Sequence, residues 1–469
     1  ESLKKMRFVL LLTTFAVAAL AKPEGWPQVP SQVPNVHSDN HQCKDPLVPS
    51  VAPRGGAGAN DFGPATAELA PSVFNLVNNV AGAGLLTLAA GMAKGTGWTP
   101  AILTCAALGL ASAHTFNLIG ESCRLTGEMD FKGLWAKTLG PNTTYVVDAI
   151  IALMCSGASI IYSGVLGDVS KELLSGVGVS SDRSKNILLI TIGVLFPLSL
   201  IKNLSALAFT SILGFASILY TVVFIVLRAL DGSYGEAGAF IVDDVIAKPT
   251  FSKASLFNVD FTTLVLMSNL GLAYIAHYNA PTYYREMRNK ADFKKMVGIS
   301  FAILTAVYAT VMAAGYSTFG DICEGNILLN YHPGDVLSTL GRVATGVSIL
   351  FGFPLAFCGI REGTMGIADR FGWQTVLKNR TALIAVLLSF VTYIAIAVPD
   401  ISLIVGVTGA AMGSTIVYIL PALMYTKSVA LAFGKGSVEH KKSMINYALI
   451  PFGVLFAVLG VGMTIKESM

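Results

Sequence analysis

The apolar stretch SVFNLVNNVAGAGLLTLA, residues 72–89, carries the run Ala81, Gly82, Ala83, Gly84 near its centre. Glycine is a poor helix former, so this run predicts a local loss of helical geometry. The N–H groups released by a break, at the positive end of the half-helix that follows, suit a carboxylate, and released C=O groups suit an ammonium ion or a metal cation. One break can therefore hold both ends of a zwitterion, or a substrate and a coupling ion. The same glycines could instead allow a neighbouring helix to approach closely.

A second apolar stretch, LMSNLGLAYIAHYNAPTYYREM at 266–287, carries polar and small residues near its middle: Ser268, Asn269 and Gly271. We expect these residues to interrupt a helix there. Two interrupted helices at corresponding places in two five-helix halves are typical of an inverted repeat with its site at the membrane midplane. His277 lies near the end of the stretch, where it is interpreted first as a structural histidine and second as a proton carrier.

The composition indicates which elements carry these stretches. Only 13% of the residues are charged and 53% are hydrophobic, whereas a soluble domain is nearer a quarter charged. The 46 glycines are in keeping with close packing of membrane helices. The chain is therefore predicted to be an all-α polytopic membrane protein whose partner is the lipid bilayer. The net charge of +4 gives no argument for nucleic acid.

Apolar runs long enough to cross a bilayer recur eleven times after residue 70. The predicted spans 1 to 11 are 71–93, 99–120, 145–167, 187–201, 204–227, 261–280, 297–319, 336–360, 381–398, 401–425 and 447–465. An HExxH motif is absent from the sequence, and we find no Ser/His pair on predicted opposing spans, so we expect neither an enzyme nor a cofactor.

The sequence divides into three predicted parts. Residues 1–21 have the basic start, short apolar run and small-x-small end of a signal or targeting leader, and residues 22–69 form a Pro- and Gly-rich disordered tail. Residues 70–469 form the transmembrane domain. Most Lys and Arg fall in loops on the side of the tail, which predicts a cytoplasmic tail. A cleaved leader would deliver the tail to the opposite side, and the two interpretations stay in conflict.

Four stretches, in order, resemble a known family: residues 72–98, 196–215 (FPLSLIKNLSALAFTSILGF), 276–287 (AHYNAPTYYREM) and 400–425 (DISLIVGVTGAAMGSTIVYILPALMY). They are similar to the amino acid/auxin permease superfamily, and in particular to its sodium-coupled neutral amino acid transporter branch. The resemblance implies eleven helices, arranged as a LeuT-like five-plus-five inverted repeat with one extra helix, and secondary active transport of amino acids by alternating access. It also places a set of residues at the substrate: Asn78, Ala81, Gly82, Ala83, Gly84, Ser268, Asn269 and Gly271.

The coupling ion stays open between Na+ and H+. In span 8 of the resembled branch, threonines precede a proline, whereas residues 345–357 (TGVSILFGFPLAF) have Gly, Leu and Val at the expected positions. The remaining candidate ligands are Thr345 and Ser348, together with Asn78, and His277 is the candidate for a proton. Hard cations prefer several oxygen ligands, which this set supplies only in part.

The centres of spans 1 and 6 carry no charged side chain, which predicts small or medium neutral amino acids as substrates. We expect a monomer in the plasma membrane or an endomembrane such as that of the vacuole, lysosome or plastid. The alternative is a non-transporting amino acid sensor on an organelle membrane, which would keep the same binding site.

Overall fold

The structure is a computed structural model that describes residues 65–200, 208–236, 238–241, 246–253 and 255–468. The predicted leader at 1–21 and the tail as far as residue 64 lie outside the described residues. The helices are α1 (Leu69–Val80), α2 (Leu88–Ala93), α3 (Trp98–Thr126), α4 (Phe131–Leu139), α5 (Thr144–Gly176), α6 (Arg183–Ile190), α7 (Phe196–Leu200), α8 (Ala208–Leu230), α9 (Thr263–Ala273), α10 (Ala280–Glu286), α11 (Phe293–Phe319), α12 (Val336–Arg370), α13 (Gln374–Lys378), α14 (Arg380–Ala397), α15 (Ile401–Thr408), α16 (Leu420–Phe433), α17 (Val438–Ser443) and α18 (Leu449–Ser468).

Shorter segments of other helical geometry join several of these helices. The 3₁₀ segments are Ala83–Thr87, Pro141–Thr143, His277–Asn279, Lys290–Asp292, Ile327–Leu329 and Met444–Ala448, and the π-helical segments are Thr191–Leu195 and Gly409–Ile419. Within the described part of the chain, extended pairing is limited to two isolated bridges, Ala67 with Met287 and Thr250 with Gly320. The prediction of an all-helical protein is confirmed for these residues.

Nine helical segments of the described chain are long and apolar enough to cross a membrane. A tenth candidate combines Leu69–Val80 with Ala83–Ala93, which are bent by 51° relative to one another. The region of predicted span 6 consists of α9 and α10, which have 11 and 7 residues. Each is shorter than the roughly 20 residues that a helix needs to cross the hydrocarbon core. The chain is thus a membrane protein with multiple spans.

Two helices extend beyond the apolar spans that the sequence predicts. Predicted span 3 ended at residue 167 and span 8 at 360, but α5 continues to Gly176 and α12 to Arg370. Apolarity marks only the part of a helix that lies in lipid, while the helix itself continues into the polar region. Residues just before residue 70, the predicted start of the transmembrane domain, also pair with the rest of the described chain. The Ala67 amide donates to the Glu286 carbonyl over 3.0 Å and the Arg288 amide donates to Ala67 over 2.9 Å, so residues 65–69 belong to the folded unit.

The elements near the two interrupted stretches pack around one another. Helix α11 packs against α1, α2, α3 and α8, and α12 packs against α5 and α8. Helix α9 packs against α2, α15 and the π-helical segment Gly409–Ile419. The contact of α9 with the π-helical segment is close enough to involve main-chain atoms, since a Cβ added to Gly271 would lie 2.9 Å from the Gly409 carbonyl oxygen. These helices place the broken first span between α9 and α11.

Candidate functional site

The predicted break in the first span is confirmed at residues 81 and 82. Helix α1 ends at Val80, and Ala81 (φ −70°, ψ 94°) and Gly82 (φ −131°, ψ −158°) are extended. The Ala81 amide still donates to Val77, and the first 3₁₀ bond runs from the Leu85 amide to Gly82 over 3.1 Å. Between them, the N–H groups of three residues have no hydrogen-bond acceptor among the described residues: Gly82, Ala83 and Gly84. These three residues are partly exposed, whereas Val80 and Leu85 are buried.

A Cβ would fit on Gly82 without a clash. A Cβ built on Gly82 would have the Tyr162 hydroxyl of α5 as its nearest neighbour, at 3.8 Å. A Cβ built on Gly352 of α12 would likewise be 3.8 Å from the Tyr162 ring. All three residues are partly exposed. The Gly82 side of the break therefore lies beside α5 and near α12, among partly exposed residues, and Gly82, Tyr162 and Gly352 bring no charge there.

The second break lies later than predicted. Helix α9 runs without interruption through residues 268–271 and ends at Ala273, so the prediction of a break at Ser268, Asn269 and Gly271 was wrong. The chain leaves α9 through the residues that follow Ala273 and continues as the 3₁₀ segment His277–Asn279 and then α10. The end of α9 meets the first break, because a Cβ added to Gly84 would lie 3.2 Å from the Ala273 Cα.

Three of the residues predicted at the substrate, Ser268, Asn269 and Gly271, are buried within helix α9. The Ser268 hydroxyl donates to the Leu264 carbonyl of its own helix over 2.7 Å. Gly271 allows α9 to approach Gly409 closely, because a Cβ added to Gly271 would lie 2.9 Å from the Gly409 carbonyl oxygen. Asn269 connects the two broken spans, since its Nδ2 donates to the Thr87 carbonyl over 3.0 Å. Its Oδ1 is buried and has no partner among the described residues.

The candidate coupling-ion residues lie around α8. Thr345 Oγ1 is 3.3 Å from Thr221 Oγ1 of α8. The Ser348 hydroxyl lies 3.2 Å from the position of a Cβ built on Gly214 of the same helix. Asn78, on α1, is partly exposed and lies one turn beyond Phe74, whose ring centroid is 4.5 Å from that of Phe215 on α8. Because residues four apart share a helix face, Asn78 lies on the α8 side of α1.

His277 connects the second broken span to α3. Its Nε2 lies 2.9 Å from Thr115 Oγ1 and 3.0 Å from the Ser112 carbonyl oxygen. The imidazole is fully buried and packs edge-on against Phe116 at a centroid distance of 5.4 Å. These contacts join the chain beyond the second break to α3.

A buried ion pair fixes the ends of two helices that lie near the site. Arg228 near the end of α8 contacts Asp335, the N-cap of α12, with an Nη2 to Oδ1 distance of 2.6 Å. The Asp335 side chain is 0% exposed, and it also accepts from the Tyr234 hydroxyl over 2.9 Å. Partial burial raises the pKa of Asp231, but hydrogen bonds from Ser233 and Arg228 outweigh it and leave that pKa below its usual value.

Sequence reasoning missed Tyr162 and Gly352. The only signal for Tyr162 was a tyrosine inside an otherwise apolar span, and Gly352 was one glycine among many. Both residues lie near the break because of the helix faces on which they stand. Which faces of α5 and α12 point toward the break follows from the packing of these helices and cannot be predicted from local sequence.

Comparison with known proteins places the chain among transporters. A family model described as Transmembrane amino acid transporter protein matches residues 66–466. Vacuolar amino acid transporter 2 of Saccharomyces cerevisiae is 24% identical over 413 residues, with 84% of this chain and 82% of the relative covered. Sodium-coupled neutral amino acid symporter 2 of Danio rerio is 24% identical over 401 residues, with 79% and 77% covered. These relatives confirm the prediction that the chain is not an enzyme.

A solved structure shares the arrangement of helices. Mhp1, a nucleobase-cation-symport-1 family transporter in a closed conformation with bromovinylhydantoin bound, matches with a TM-score of 0.50 and 11% identity. The match covers 86% of this chain and 91% of that chain. At this level of identity the likeness shows the fold alone.

Proposed function

Because this chain belongs to the transmembrane amino acid transporter family, we propose that it is a secondary active transporter of small or medium neutral amino acids, coupled to Na+ or H+. The observation that carries the proposal is the first break, where the amides of the partly exposed residues Gly82, Ala83 and Gly84 lack acceptors among the described residues. Backbone amides at a helix start, free of internal partners, suit an anionic group.

In the proposed fold, eleven segments cross the membrane as a LeuT-like five-plus-five inverted repeat with one further helix. The broken spans, α1 with α2 and α9 with α10, are span 1 and span 6 of the two halves. The likeness to Mhp1 supports this arrangement. Discontinuous helices at the membrane midplane are the usual place of the substrate in such transporters.

The proposed substrate lies between the two breaks. Its carboxylate accepts from the amides of residues 82–84, and its ammonium group lies toward the C-terminal end of α9, where the helix dipole places partial negative charge. Asn78 is placed at the edge of this site, one turn before the break. Ser268, Asn269 and Gly271 are buried in α9 and are proposed to hold the end of that helix in position through packing, without contact with the substrate.

The substrate side chain is proposed to enter the space beside Gly82, Tyr162 and Gly352. None of these residues carries a charge that could neutralise a charged side chain. A cationic or anionic side chain would lose its hydration there without gaining an oppositely charged partner from these residues, which is unfavourable. The space therefore favours neutral side chains, and its size depends on the absence of a side chain at Gly82 and Gly352.

The proposed coupling ion is Na+ at Asn78, Thr345 and Ser348, or H+ with His277 as the candidate group. The two hydroxyls face α8, as does Asn78, which supports a shared location for a cation. His277 is held between α3 and the second break, where a change of its protonation would act on the position of α10. Alternating access then moves the broken spans between conformations open to either side.

The proposed setting is a monomer in the plasma membrane or an endomembrane, with the segment before α1 on the cytoplasmic side as the charge bias predicts. Saccharomyces cerevisiae Vacuolar amino acid transporter 2 is named for the vacuole, which supports an endomembrane as one of the two settings. Orientation can be measured by labelling a cysteine introduced at Lys137, in α4, from one side of sealed vesicles.

The proposal is tested by uptake of radiolabelled alanine into proteoliposomes, with a Na+ gradient and a pH gradient imposed separately. Accumulation driven by one gradient identifies the coupling ion. Gly82→Leu, which fills the space beside the break, is expected to abolish uptake. Gly462→Leu is the matched control, because a Cβ at Gly462 has no neighbour within 4 Å. Binding of alanine without accumulation under either gradient would contradict transport and favour the sensor.

A further inference from the structure

Tyr308 contacts both broken spans. It lies on α11, is fully buried, and its hydroxyl oxygen is 2.7 Å from the Ala273 carbonyl oxygen and 3.2 Å from the Val80 carbonyl oxygen. Ala273 is the last residue of α9, and Val80 is the last residue of α1. A single hydroxyl thus lies at the ends of both half-helices.

These two carbonyls need a donor for a physical reason. The last carbonyls of a helix have no partner within the helix, and the C-terminal end carries about half a negative charge. The ends of α1 and α9 bring two such negative ends into one buried place, where they repel each other. The Tyr308 proton, donated to Ala273 with Val80 as the longer second contact, is the positive group between them.

The same face of α11 supports the chain beyond the second break. Thr305 lies one turn before Tyr308, and its hydroxyl is 2.9 Å from the hydroxyl of Tyr274, the first residue after α9. The Tyr274 and Tyr308 rings pack with centroids 5.0 Å apart. Thr305 and Tyr274 hold the second break against α11, and Tyr308 adds the first break to the same helix.

We propose that Tyr308 is a positioning residue of the transport site, which fixes the distance between the two breaks before substrate binds. This inference rests on the proposed function, because it assumes that the amides of residues 82–84 and the end of α9 bind the two ends of one amino acid. Tyr308 acts through Val80 and Ala273 and needs no contact with the substrate. A site that is already arranged binds more tightly than one that must be arranged during binding.

The test is equilibrium binding of radiolabelled alanine to the purified full-length protein in detergent, together with uptake kinetics in proteoliposomes. Tyr308→Phe keeps the ring and removes the donor. A buried carbonyl left without its donor is costly, so we expect Kd and KM to rise roughly 5- to 100-fold. Tyr316→Phe is the matched control: Tyr316 is a buried tyrosine on α11 whose hydroxyl donates to Asp321 over 3.1 Å, and we expect its Kd to be unchanged.

A purely structural role gives a different result. If Tyr308→Phe lowers the melting temperature but leaves Kd and KM at the wild-type values, the inference is overturned. If Tyr308→Phe does not fold, two amino acids incorporated at position 308 replace it: 4-aminophenylalanine, which can donate, and 4-methylphenylalanine, which has a similar shape and cannot. The inference predicts much tighter binding for the first, and equal Kd values would overturn it. If the wild-type protein binds no amino acid at all, the proposed function fails, and this inference fails with it.

Discussion

Gly84 in the first broken span lies directly against Ala273 at the end of α9, with 3.2 Å between the position of a Gly84 Cβ and the Ala273 Cα. The two breaks therefore touch through main-chain atoms at a point where a side chain would force them apart. Gly82, two residues earlier, has no such neighbour, since its Cβ position is 3.8 Å from the nearest atom outside its own segment. The two glycines serve different purposes: Gly84 permits contact and Gly82 leaves space.

This difference predicts unequal effects of the same substitution. Gly84→Ala is expected to lower alanine uptake at low substrate concentration by roughly tenfold or more, because small displacements of a binding group are costly. Gly82→Ala is expected to have a smaller effect, since its Cβ fits without movement. Uptake by the two variants at equal expression checks the prediction. A larger loss in Gly82→Ala would contradict the distinction.

Asn269 is predicted to stabilise the contact between α9 and the first broken span. Asn269→Ala leaves the buried Thr87 carbonyl without the donor that the side chain provides, which should lower the free energy of unfolding by about 1–3 kcal/mol. Ser268→Ala is the control on the same helix, because the Leu264 carbonyl that its hydroxyl contacts lies within α9; about 0.5–1 kcal/mol is expected. Thermal unfolding in detergent measures both, and equal losses would count against the role of Asn269.

Gly352 is predicted to set the size of the accepted side chain. Gly352→Val places methyl groups in the space that Gly352 shares with Tyr162 and should exclude larger neutral amino acids before alanine. Competition of alanine uptake by unlabelled glutamine and leucine checks this expectation. The variant should lose competition by leucine and glutamine while unlabelled alanine still competes. Unchanged competition by leucine would show that the side chain lies elsewhere.

The ion pair of Arg228 with Asp335 is predicted to be a main contributor to stability. Removing the charge of Asp335 leaves Arg228, whose side chain is 14% exposed, with only the more exposed Asp231 as an ion-pair partner among the described residues, and breaking a buried pair costs about 3–5 kcal/mol. Asp335→Asn should therefore lower the melting temperature strongly. The control is Glu121→Gln, which breaks the more exposed pair with Arg124 and should cost about 0–1 kcal/mol. Similar melting temperatures for both variants would contradict the prediction.

The sequence predicted the first break correctly because Gly82 and Gly84 are poor helix formers placed close together in one span. It was misleading about the second. Ser268, Asn269 and Gly271 look like interruptions in an apolar helix, but each is accommodated in α9: Ser268 by a carbonyl of its own helix, Asn269 by Thr87, and Gly271 by close contact with Gly409. The last two partners lie in other spans and cannot be read from local sequence.

The same limit applies to the walls of the site. Tyr162, Gly352 and Tyr308 belong to three helices that are far from the breaks in sequence, and nothing in their local pattern separates them from residues that face lipid or pack in the core. Their relation to the breaks arises from the packing of α5, α11 and α12. The length of the apolar runs predicted where the spans lie along the sequence, but not which face of each helix points toward the site.

The central claim is that the two breaks together hold both charged ends of one amino acid. The most direct measurement is displacement of radiolabelled alanine from the purified protein by unlabelled alanine, by alaninamide, which lacks the carboxylate, and by propionate, which lacks the ammonium group. Displacement by alanine, with little or none by the other two at the same concentration, is the predicted result. Displacement by alaninamide as effective as that by alanine would contradict a carboxylate site at the amides of Gly82, Ala83 and Gly84.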